Sequence, residues 1–83
     1  MSNIDESRAM ILSRADWQLL FLDREKLLKH PGSHHKALIV GAHALHRAKL
    51  INGDDLSDLL EQADGALAYA VEALLDDWQV GER

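Results

Sequence analysis

The chain has 83 residues, 47% of them hydrophobic and 28% charged, with one proline, no cysteine and a formal net charge of −5. That size admits one small domain over residues 1–83, and the missing cysteine excludes disulfides and thiolate-bound metal as staples. No apolar run approaches the roughly 18 residues of a membrane span, and Met1-Ser2-Asn3-Ile4-Asp5-Glu6 lacks the basic and apolar regions of a secretory signal, so a cytoplasmic protein is the expectation.

The first predicted element is a helix over about residues 5–29. Ile4, Ile11, Ala15, Leu19 and Leu22 form one stripe at helical spacing. Met10, Trp17, Phe21 and Leu28 form a second, and Leu20 and Leu27 a third. One neighbouring hairpin cannot cover all three. Either the helix breaks near Ser13, where Ser13-Arg14-Ala15-Asp16 reads as an approximate capping box, or a second copy covers the remainder. Self-association is the simpler answer for so short a chain. It makes Met10, Trp17, Phe21 and Leu28 the candidate self-interface, with Trp17 and Phe21 at its centre.

His30-Pro31-Gly32-Ser33 ends that element, and Ser33 is placed to cap a second helix over about residues 34–51. Ala37, Gly41, Ala44 and Ala48 recur at spacings of three and four and line one stripe of it. Lys36, Arg47 and Lys49 are read as spread around its circumference. His43 and His46 stand one turn apart.

Asn52-Gly53-Asp54-Asp55 is the next break. Gly53 suits a left-handed C-terminal position, and Asp54 or Asp55 suits the cap of a third helix over about residues 55–80. Leu56, Leu59, Leu60, Ala63, Leu67, Ala70, Val71, Leu74 and Trp78 compose its apolar face, while Asp58, Glu61, Glu72 and Asp76 fall on the solvent side. Ala63, Ala66, Ala70 and Ala73 answer the small residues of the second helix. The expected seam pairs Ala44 with Ala63, Gly41 with Ala66 and Ala37 with Ala70. Gly65 lies on the polar side, where glycine costs a helix about 1 kcal/mol against alanine, and the sequence offers no reason for it.

The sum of these elements is an all-α fold. It has three helices, with the second and third as an antiparallel Ala-lined hairpin in a dimeric helical bundle.

Charge divides the chain unevenly. Residues 1–23 carry net −2, residues 24–50 net +5 with all five histidines, and residues 51–83 net −8. Lys36, Arg47, Lys49, Asp58, Glu61, Glu72 and Asp76 therefore form a candidate charged surface for a protein partner. The overall negative charge argues against nucleic acid.

Chemistry-bearing motifs are sparse. His43 and His46 supply two imidazoles toward a metal, but a site needs a third ligand, and the intervening Ala44 and Leu45 omit the glutamate of two-histidine catalytic motifs. Asp54-Asp55 is explained by capping. Asp76-Asp77 has no surrounding acid–base apparatus. With no nucleophile motif or phosphate loop, the expectation is a non-enzyme without a cofactor. The expected function is that of a small cytoplasmic protein–protein interaction module, a regulator or adaptor, homodimeric and with a further unidentified protein partner. The alternative is a metal- or small-ligand-binding helical module using His43 and His46.

Overall fold

The computed structural model describes residues 11–82, with side chains through Asp76. Among them the fold is all-α, with four helices: α1 Arg14–Phe21, α2 Arg24–Lys29, α3 Pro31–Arg47 and α4 Gly53–Glu82. No helix among the described residues is long and apolar enough to cross a membrane.

The described part of the expected first helix is thus two short helices, each started by its own cap. The Ser13 hydroxyl accepts from the Asp16 N–H at 3.2 Å, and the Asp16 carboxylate reaches back to the Leu12 N–H at 3.0 Å. This is a capping box with the return bond displaced by one residue. Asp23 then caps α2 by accepting from the Lys26 N–H at 3.1 Å. That second break was not foreseen, and it redirects the chain before Leu27 enters the interior.

α3 starts earlier than expected. Pro31 occupies its first turn, where the missing N–H costs nothing, and His30 precedes it without a side-chain cap bond. Ser33 is therefore inside the helix. At its other end the left-handed residue is Lys49, with φ 64°, and not Gly53. The Leu50 N–H bonds to the Leu45 carbonyl at 3.0 Å, and the Lys49 N–H to the His46 carbonyl at 2.9 Å. These are the two bonds of a Schellman motif. Gly53 instead opens α4. Asn52 accepts from the Asp55 N–H at 2.8 Å, and Asp55 accepts from the Asn52 N–H at 3.2 Å, a reciprocal box that satisfies both ends of the turn.

The core joins α1, α3 and α4. Trp17, Leu38, Ala42, Leu45, Ile51, Leu59 and Ala63 form one buried cluster, with Ile11, Leu20, Phe21, Ile39, Leu56 and Leu60 packed on it. Part of the expected seam is corrected. Ala37 and Ala48 are exposed, so neither is packed against a helix among the described residues. Gly41 is buried, but a Cβ placed there would stand 2.5 Å from Ile11 Cδ1 and 3.4 Å from Trp17 Cδ1. Its missing side chain admits Ile11 and Trp17, from the segment before α3. On α4 the small residues Ala63 and Ala70 are fully buried.

α3 has 17 residues and α4 has 30. At 1.5 Å per residue the difference is about 20 Å of helix. Among the described side chains the last wholly buried one on α4 is Ala70, so α4 runs on past the core through Asp76.

Candidate interaction surfaces

Trp17 is fully buried within the single chain. Its ring stacks on Phe21 with centroids 5.3 Å apart and planes 11° apart, and its Nε1–H donates to the Leu38 carbonyl at 2.9 Å. This corrects the expected self-interface. Trp17 is the anchor of the intramolecular core, Phe21 and Leu28 are half-buried, and Met10 lies outside the described residues. The break at Ser13 and the turn at Asp23 let the chain bury what a continuous helix would have left outside.

The exposed apolar residues lie elsewhere. On the first segment they are Leu12, Leu19 and Leu22, and on α3 Val40. On α4 they are Val71 at 44%, Leu74 at 39% and Leu75 at 56% exposure. Val71 and Leu74 were expected in the core face of that helix. They continue the face, but none of the described residues covers them that far along α4. Tyr69, on another side of α4, is engaged: its hydroxyl accepts from Arg24 Nη1 at 2.9 Å, and the guanidinium carbon lies 5.4 Å from the ring centroid.

The histidines separate into three situations. His34 is buried, with Nε2 2.7 Å from the Leu20 carbonyl. The carbonyl can only accept, so Nε2 carries the proton, and Nδ1 is buried without a partner. His35 Nε2 meets the Asp64 carboxylate at 2.8 Å and links α3 to α4. His43 and His46 are exposed on α3, and among the described residues no three His, Asp or Glu side chains gather to hold a metal ion. His46 does border an open depression with Lys49, Leu50, Ile51, Asn52 and Asp55. Two of its polar residues are occupied: Asn52 and Asp55 cap each other, and Arg14 reaches Asp55 at 3.4 Å.

Lys36, Arg47, Lys49, Asp58, Glu61, Glu72 and Asp76 are all exposed. Among the described residues the ion pairs are Arg14–Asp55, Lys29–Glu25 and His35–Asp64, so none of the seven is paired there. One expectation about them is corrected. Lys36 and Arg47 are not spread around the helix. They lie 11 residues apart within one continuous α-helix, which is three turns plus about 20°, so they share a face with Val40 and His43. That face carries no acid, because α3 contains none.

No family model, curated protein or solved structure matches the chain.

Proposed function

We propose that the chain is a non-catalytic protein–protein interaction module, a small regulator or adaptor that pairs with a second copy. The observation that carries this reading is the apolar strip of Val71, Leu74 and Leu75 on the part of α4 beyond Ala70. Full burial of a valine or leucine side chain contributes about 1.5–3 kcal/mol, so covering three half-exposed ones is a substantial gain for so small a domain. Glu72 and Asp76 each follow a strip residue by one position, about 100° round the helix. Glu72 also stands three residues before Leu75, about 60° from it, so the two acids edge the strip and do not interrupt it.

In this reading α3 and α4 form an antiparallel hairpin, and two hairpins meet along the ends of α4 in a helical bundle. The charged outer faces stay in water and are free to select a partner. Nothing around His43 and His46 favours the metal-binding alternative over this.

Sedimentation velocity tests the pairing. At about 500 mM salt, where charge contacts are screened, wild-type chain should sediment as more than one subunit, and Val71→Ser/Leu75→Ser should sediment as a folded monomer. A wild-type chain that is monomeric at every concentration contradicts the reading.

A further inference from the structure

The outer faces of the two long helices are matched in a way the apolar strip does not explain. On α3, Lys36, Val40, His43 and Arg47 follow one another at spacings of four, three and four, and all are exposed. On α4, Glu61, Gly65, Ala68 and Glu72 follow at the same spacings, and all are exposed. Each set lies within about 30° of one line along its helix. Each ends in like charges three turns apart, cations on one helix and anions on the other, with two uncharged or small positions between.

We propose that the α3 outer face of one copy docks on the α4 outer face of another. The inference rests on the reading of the chain as a self-associating module, but it places a second contact on a neighbouring face of α4, which meets the apolar strip at Leu75. With the end charges at equal separation, Lys36 and Arg47 meet Glu61 and Glu72 in either direction of approach. Val40 and His43 then lie over Gly65 and Ala68.

Gly65 acquires a role in this arrangement. It sits within a helix, and a Cβ there would meet nothing within 4 Å, so the single chain gives no steric reason for glycine. A missing side chain on an outer face lets another helix approach near the 8 Å end of the usual interaxial range. Val40, 57% exposed on a face otherwise polar, is covered by that approach. The charges orient and speed the encounter more than they tighten it.

The two faces belong to different helices and are not self-complementary. The contact is therefore heterologous, and it extends an assembly instead of closing it at two subunits. It is also salt-sensitive, whereas pairing through the strip is not.

The test uses two variants that leave the strip intact, Lys36→Gln/Arg47→Gln and Glu61→Gln/Glu72→Gln. Light scattering of wild type should show mean size falling as salt rises from about 50 to 500 mM, where screening shortens to a few ångströms. Each variant alone should lose that salt-dependent part. An equimolar mixture should recover it, because one variant keeps the acidic face and the other the basic face. Gly65→Leu should fold normally and also lose it. Wild-type size indifferent to salt overturns the inference while leaving the apolar dimer intact. So does salt-dependent growth unchanged in both Gln variants. Loss of the strip-mediated dimer in Val71→Ser/Leu75→Ser, with salt-dependent growth retained, separates the two contacts.

Discussion

The indole N–H of Trp17 donates to the main-chain oxygen of Leu38 at 2.9 Å and so ties α1 to the middle of α3. The carbonyl lies inside a helix, so this bond is additional to the helical ladder. It fixes the direction of a ring already held between Phe21 and the gap left by Gly41.

Trp17→Phe should keep the apolar contact and lose the bond. The cost is about 1 kcal/mol for the hydrogen bond and a similar amount for the smaller ring. For a domain of this size that lowers Tm by roughly 10 °C. Thermal unfolding followed by circular dichroism reads it, and a melt within a degree or two of wild type would show that the bond carries no weight.

Two glycines in helices should respond with opposite sign. Gly41→Leu drives a branched side chain toward Ile11 and Trp17 and should cost about 1–3 kcal/mol by overpacking. Gly65→Ala meets open space and should gain up to about 1 kcal/mol from helix propensity. Urea unfolding of the pair distinguishes them, since a shared sign would mean that one of the two environments is misassigned.

Asn52→Ala removes the acceptor for the Asp55 N–H and breaks the reciprocal box at the start of α4. A lost N-cap costs about 0.5–2 kcal/mol. Arg14→Ala, which removes only an exposed ion pair with Asp55, should cost less than that. If Arg14→Ala proves the more damaging in urea titrations, the turn is held by charge and not by capping.

Lys49→Gly should stabilise the chain. Lys49 holds the left-handed position of a Schellman motif at φ 64°, where a side chain costs roughly 1 kcal/mol. A rise in the urea midpoint without change in slope is the expected outcome. A fall would mean that the lysine side chain makes a compensating contact.

How much of this could be read in advance depended on the kind of signal. Ser13 and Asp16 announced a cap because a hydroxyl and a carboxylate three residues apart satisfy orphan N–H groups locally. Asp23 gave a weaker signal, a lone acid inside a helical pattern, and missing it left Trp17 and Phe21 assigned to a second copy. Small residues at Gly41 announced close approach without saying what approaches, and the neighbour proved to be Ile11 and Trp17. The shared face of Lys36 and Arg47 was present in the spacing itself, since 11 residues return a helix almost to its starting direction. The exposure of Val71 and Leu74 was not, because their pattern continues the core face and only the shorter α3 reveals that the core ends before them.

The measurement that bears most directly on the proposed module is amide hydrogen exchange along α4 at increasing protein concentration. A helix end with no neighbour opens locally and exchanges fast, and a partner on its apolar strip suppresses that opening. Amides of residues 71–76 should gain protection as concentration rises, while those of α1, already anchored by Trp17, should not change. Protection that is independent of concentration in residues 71–76, or that grows in α1 instead, would contradict the placement of the copy-to-copy contact on the end of α4.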